Sequence, residues 1–212
     1  AGIFAGEALV YRVVGAIDAA LSTLEADAPA AEVQKRIEEY AVECSIVKVW
    51  CSEMLERAVD RSVQIHGGYG YVEEYPAERA YRDARINRIF EGTNEINRLI
   101  ITGFLLKRAM QGRLPLLPAI GKIMDEVMAG SAPRAELSGP LAAEKALLAS
   151  AKKIGLFCAG AASQKYPTNL QDQQEIMGAL ADILIEILVM ESAILRAEKS
   201  SARGSAEHHI AL

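Results

Sequence analysis

An all-α fold is what this sequence of 212 residues predicts. Long stretches repeat apolar residues every three or four positions, as a helix with one buried face requires. No stretch alternates apolar and polar residues with the period of two that marks a half-buried strand. The hydrophobic fraction is 51% while aromatics supply only 6%, and the small aliphatic side chains that dominate suit close helix packing.

The elements follow in order. Residues 2–24 carry apolar positions at helical spacing, and the neighbourhood of Pro29 breaks the pattern. A second helix is expected from about residue 30 to 64. Its apolar stripe is Val33, Ile37, Ala41, Cys44, Val47, Cys51, Leu55 and Val59. Lys35, Glu38, Glu39, Lys48, Glu56, Arg57 and Asp60 fall on the opposite, solvated side. Gly67, Gly68 and Gly70 end this helix, since glycine alone adopts positive φ cheaply. Pro76 opens a short helix over 77–84, residues 91–93 form a corner, and Thr93 is a candidate N-cap for the next helix. Ile96, Leu99, Ile100, Gly103 and Phe104 are expected to face inward along that helix, which stops near Gly112. Pro115 and Pro118 make the following stretch a poor continuous helix. Residues 129–140, AGSAPRAELSGP, have the punctuation of a linker. Two long helices are expected near 140–165 and 170–202. The stripe of the last is Ile176, Leu180, Ile183, Leu184, Ile187, Leu188, Glu191, Ile194 and Leu195. Asp182 and Glu186 make it too polar for a bilayer span, which takes ~20 apolar residues.

A net charge of −5 and a pI near 5.4 argue against a nucleic-acid partner, which would call for a basic face. Membrane contact has little support, because no basic amphipathic face stands out. Cys44, Cys51 and Cys158 form no CxxC pair and read as buried, reduced thiols in a reducing compartment. The adjacent His208 and His209 would point to different helix faces, so no metal site is expected. The first residues read as the middle of a helix with no basic leader, and the last as a helix just starting after Gly204. Both edges are therefore expected to be truncations of something larger.

The chemistry concentrates in residues 64–101, QIHGGYGYVEEYPAERAYRDARINRIFEGTNEINRLII. Glu91 stands at a corner immediately before Gly92. A fixed carboxylate there could serve as a general base, and desolvation by Phe90 would raise its pKa toward working pH. Gly92 would let a ligand approach the backbone, whose amide can donate to a developing oxyanion. A glutamate in such a loop is otherwise an ordinary solvated charge. The turn Gln64, Ile65, His66, Gly67, Gly68 could offer free amides and a side-chain amide to a pyrophosphate, or be simple helix capping. It is not the GxGxxG of a strand-to-helix dinucleotide site. The charged run from Glu78 to Arg85 reads as an ion-pair network that positions the loop bearing Glu91.

Residues 64–101 closely resemble the flavin and active-site stretch of the acyl-CoA dehydrogenases, and the likeness extends over about 1–112. The resemblance implies a C-terminal helical bundle entered partway through a helix. It also implies FAD as cofactor, oxidation of acyl-CoA thioesters to trans-2-enoyl-CoA, and an electron-transferring flavoprotein as acceptor. Carried over by position, Glu91 matches the base that removes the pro-R α-proton, while the β-hydride passes to N5 of FAD. Gly92 lies where the acyl-CoA is held. Gln64, Ile65, His66, Gly67 and Gly68 match the segment contacting the FAD of a neighbouring subunit. Thr93, Asn94 and Glu95 match the turn near the adenine-side phosphates and ribose. That arrangement implies a homodimer or homotetramer, in bacterial cytoplasm or mitochondrial matrix. The base stands as in the short-, medium- and very-long-chain types, not as in the isovaleryl and long-chain types. Residues 113–212 then form an appended helical region similar in placement to that of the very-long-chain type, though without a matching motif. The chain alone is expected to be inactive. A non-catalytic helical assembly module and an acyl-CoA oxidase are the alternatives.

Overall fold

The computed structural model describes residues 1–130 and 139–202. Their helices are α1 (Gly2–Leu21), α2 (Ala30–Glu38), α3 (Ala41–His66), α4 (Pro76–Arg85), α5 (Asn94–Met110), α6 (Leu116–Met128), α7 (Ala142–Lys165) and α8 (Gln174–Ala202). Single 3-10 turns occupy Gly67–Tyr71, Ile86–Arg88 and Leu170–Asp172. No strand occurs among the described residues, as the lack of period-two patterning predicts. His208, His209, Gly204 and most of the expected 129–140 linker lie outside the described residues.

The expected helix over 30–64 is two helices. The chain breaks at Glu39 and Tyr40, where the Glu39 carbonyl accepts from Arg108 and its carboxylate pairs with Arg113. The partners come from the last turn of α5 and the segment just after it, so no local signal marks the break. The stripe is also rotated. The buried face of α3 is Val42, Ser45, Ile46, Val49, Trp50 and Ser52, whereas Cys44 and Leu55 are exposed. Two helices crowd that face, α1 and α5, and they select its orientation. The cysteines are accordingly free thiols but not fully buried: Cys44 is exposed and Cys51 and Cys158 are half-buried.

On α5 the expected inward face fails in the same way. Ile96 and Phe104 are exposed, and the buried positions are Asn94, Asn97, Ile101, Thr102 and Ala109. Polar groups steer this helix, because its first turn docks by hydrogen bonds. Helix α6 is continuous despite Pro118. Pro115 is its N-cap and Pro118 falls in the first turn, where a missing N–H costs nothing.

The core runs across the whole chain. Leu9 and Val13 of α1 meet Val42, Ile46, Val49 and Trp50 of α3, Ile101 of α5, and Ala181, Ile185 and Val189 of α8. At ~1.5–3 kcal/mol for each large aliphatic side chain buried, this cluster is a main source of stability. The expected boundary between 112 and 113 therefore does not divide the core, since α8 returns to pack on α1 and α5. A second cluster joins Phe4, Leu141, Leu148, Ile194 and Ala197, with the Arg196 guanidinium 4.2 Å from the Phe4 ring centroid. Helix α7 is long and apolar enough in composition to cross a bilayer, yet it packs on α6 and α8 through Leu148, Gly155 and Gly160.

Candidate functional site

The corner between the 3-10 turn Ile86–Arg88 and α5 is built from the backbone outward. Glu91 has φ +53° and Gly92 φ +80°, two successive left-handed residues. For a glutamate this region costs ~1–2 kcal/mol, so neighbouring contacts must hold it there. They do. The Gly92 carbonyl accepts from Lys48 Nζ at 2.8 Å and from Asn97 Nδ2 at 2.9 Å. Asn97 Nδ2 also donates to the Thr93 carbonyl at 3.0 Å. Thr93 caps α5, its Oγ1 accepting from the Ile96 N–H at 3.3 Å. A trans peptide holds C=O and N–H on opposite sides, so the Thr93 N–H points away from Lys48. The corner is thus gripped from beneath, and Glu91 is exposed.

Asn94 is the hub of that grip. It is 0% exposed. Its Oδ1 accepts from Lys48 Nζ at 2.7 Å, and its Nδ2 donates to Ser52 Oγ at 3.0 Å and Glu53 Oε1 at 3.1 Å. Glu53 in turn accepts from Arg98 through both oxygens, at 2.9 and 3.2 Å. Arg98 Nε donates to Asp182 Oδ1 of α8 at 2.7 Å. One hydrogen-bonded chain therefore links the corner through α3 and α5 to the second half of the protein. Arg88, just before the corner, pairs with Glu56.

The charge environment follows from this packing. Burial pushes the Lys48 ammonium below its ordinary range, opposed by the charges of Glu95, Glu53 and Glu91. Burial alone would raise the Glu53 carboxyl, but bonds from Arg98 and Asn94 hold it below the usual range. Glu95 is lowered by its own backbone N–H and by the Thr93 hydroxyl, as expected at a helix N-terminus.

The Gln64–Gly68 turn is a separate, open feature at the end of α3. Gln64, Ile65, His66, Gly67 and Gly68 are all exposed. His66 Nδ1 lies 2.8 Å from the Ser62 carbonyl of its own helix. Gly67, at φ +59°, and Gly68 have nothing within 4 Å of where a Cβ would stand. Gly70 is different: a Cβ there would lie 2.5 Å from the Val63 carbonyl oxygen, so close approach requires the glycine.

The expected site residues are thus placed unequally. Glu91, Gly92 and Glu95 are exposed, Thr93 is half-buried, and Asn94 is internal, its amide bonded to protein groups. The network that positions the corner is not the one expected. Arg82–Glu78 and Arg79–Asp83 are exposed pairs within α4, worth little. The positioning residues are Lys48, Ser52, Glu53, Asn97, Arg98 and Asp182. Sequence periodicity set Lys48 and Glu56 on a solvated face, and only the buried Ser45 and Ser52, seven residues apart on α3, hinted that this face carries polar business. Ile86, Ile89 and Phe90 form an exposed apolar rim just before Glu91, with Phe90 46% exposed. Among the described residues no group of three His, Cys, Asp or Glu could hold a metal ion.

Residues 3–106 match the sequence family described as acyl-CoA dehydrogenase, C-terminal domain, and residues 150–211 match a second family of the same description. The chain is 48% identical to a probable acyl-CoA dehydrogenase of Bacillus subtilis, over 97% of this chain and 35% of that protein. It is 46% identical to the human short-chain specific mitochondrial acyl-CoA dehydrogenase, over 37% of this chain and 19% of the relative. The crystal structure of an acyl-CoA dehydrogenase complexed with FAD from Bacillus anthracis superposes with a TM-score of 0.92 at 48% identity. That match covers 98% of this chain and 35% of the other. The chain thus spans about a third of the length of its most extensive matches.

Proposed function

Because this chain belongs to the acyl-CoA dehydrogenase family, matching its C-terminal domain in both halves, we propose that it is the part of such an enzyme that supplies the general base. Glu91 is that base. The observation that carries the reading is its position: an exposed carboxylate on a left-handed corner that Lys48, Asn94 and Asn97 brace from behind. A base must be fixed before its substrate arrives, and a corner gripped at the Gly92 carbonyl is fixed. The apolar rim of Ile86, Ile89 and Phe90 would exclude water once acyl-CoA and the rest of the protein cover it, favouring proton transfer from the α-carbon to a Glu91 carboxylate oxygen.

The cofactor is FAD, which when bound accepts the hydride from the β-carbon. Gln64 to Gly68 fit a flavin phosphate contact, being exposed and open above both glycines. Thr93 and Glu95 belong to the adenine side. Asn94 serves there only indirectly, by holding the turn. An electron-transferring flavoprotein would receive the electrons, and a homo-oligomer would bring the Gln64 turn to a neighbouring flavin. The continuation beyond Gly112 into α6, α7 and α8 supports an architecture like the very-long-chain type, while the relative named by chain length is short-chain specific.

The test is Glu91→Gln in the full-length protein. Turnover of acyl-CoA with an artificial acceptor should fall ~10²–10⁴-fold while the yellow FAD absorbance persists. Undiminished turnover would reject Glu91 as the base. Absence of any turnover or bound flavin in the wild-type protein would favour a non-catalytic assembly module instead.

A further inference from the structure

Far from the corner, α5, α6, α7 and α8 line a cavity of about 340 Å³ that is partly open to solvent. Its walls include Leu105 of α5, Ile120 of α6, Leu156 of α7, and Leu180, Ile183 and Ile187 of α8. Two hydroxyls lie in the wall, and both are satisfied elsewhere: Thr102 Oγ1 donates to the Arg98 carbonyl and Ser163 Oγ to the Ala159 carbonyl. Away from its mouth the wall therefore offers a ligand dispersion contacts and no free hydroxyl, which suits an apolar guest.

The cavity is not slack packing. Helix α7 meets its neighbours tightly at two glycines. A Cβ on Gly160 would stand 2.6 Å from Ile120 Cγ2, and one on Gly155 would stand 3.2 Å from Ile187 Cδ1. Helices α6 and α8 are thus already at closest approach to α7 at those points. The space between them cannot be closed by sliding α7 inward.

One charge lines the cavity, Lys152. Its side chain is about half exposed and pairs with Glu191. That carboxylate is shared, because Arg12 donates to its other oxygen at 2.7 Å. Arg12 thus shares the charge of Glu191, and Lys152 is the one charged side chain in the cavity wall, half exposed so that water reaches a head group there. By proportion with the ~150 Å³ cavity that holds six-carbon benzene, 340 Å³ accommodates roughly a dozen carbons. We propose that this cavity binds a free fatty acid of about that length, its aliphatic tail between α5, α6, α7 and α8 and its carboxylate at Lys152. The site is separate from the corner at Glu91. It shares one wall with it, because α5 lends Leu105 to the cavity and its N-terminus to the corner.

The experiment titrates dodecanoate into the full-length protein, with isoleucine methyl groups isotope-labelled for NMR and the acyl-CoA cleft blocked by a saturating 3-thia-acyl-CoA. Saturable shifts at Ile120, Ile183 and Ile187, with one dodecanoate bound per chain, are expected. Ala159→Phe should fill the cavity and weaken binding more than tenfold. Lys152→Met should weaken dodecanoate about tenfold, the effect of one charged hydrogen bond, and leave dodecanol unchanged. Absent or non-saturable shifts, binding abolished by the cleft blocker, or affinity unaltered by Ala159→Phe would each overturn the proposal. Should Ala159→Phe not fold, the wild-type methyl map decides alone. Binding is read without turnover, so its failure leaves the dehydrogenase reading untouched.

Discussion

Replacing Asn94 by alanine separates two roles for that residue. Its amide meets Lys48 at 2.7 Å, Ser52 at 3.0 Å and Glu53 at 3.1 Å, in a position with no exposure. The Lys48 bond is charge-assisted and the Glu53 bond ends on a carboxylate, each worth ~1.5–3 kcal/mol, and the Ser52 bond is worth ~1. Every partner retains another contact: Lys48 the Gly92 carbonyl, Ser52 the Val49 carbonyl, and Glu53 the Arg98 guanidinium. The loss should accordingly fall at the low end, about 3–4 kcal/mol, or a melting shift of about 10 °C for a chain of this size. Urea unfolding of this chain, followed by far-ultraviolet circular dichroism, measures it, alongside the flavin content of the full-length protein carrying the same change. A loss below ~1 kcal/mol would refute the anchoring argument. Weakened flavin retention at unchanged stability would restore Asn94 to direct cofactor contact.

Three other outcomes follow from the same geometry. Lys48→Met removes the clamp on the Gly92 carbonyl; turnover of the full-length enzyme should fall up to ~10²-fold through misplacement of Glu91, with flavin absorbance kept. Gly70→Ala drives a Cβ into the Val63 backbone, and a melt should report ~1–3 kcal/mol of destabilisation, whereas Gly68→Ala, in open space, should be nearly silent. Glu53 has a folded pKa below the ordinary 4.5, because Arg98 and Asn94 outweigh its burial. Its contribution is therefore complete above that value and is lost as pH falls through the lowered one. Acid titration of Glu53→Gln should show a flatter stability decline below about pH 4.5 than wild type; an unchanged acid limb would refute the assignment.

Helix existence was legible in the sequence, and helix orientation was not. Hydrophobic spacing located α1, α3, α5, α7 and α8, and Thr93, Pro76 and the glycines after His66 marked ends through local chemistry. Which face turns inward is decided by what arrives opposite. Helix α3 meets both α1 and α5, so its buried arc shifts to Val42, Ile46 and Val49. Helix α5 is turned by Asn94 and Asn97, whose polarity reads as exposure until Lys48 and the Gly92 carbonyl are found beside them. The break at Tyr40 depends on Arg108, 69 positions away from Glu39. At the site, Glu91 and Gly92 were visible as a corner, while Lys48, Glu53, Arg98 and Asp182 converge only after folding.

The left-handed backbone at position 91 sets a trap for anyone evolving this protein toward heat tolerance. Glycine there would relax a conformation that glutamate tolerates poorly, so a screen for thermal survival alone will enrich the substitution that discards the proposed proton acceptor. Variants gaining robustness at this locus should be assayed for activity before they are carried forward.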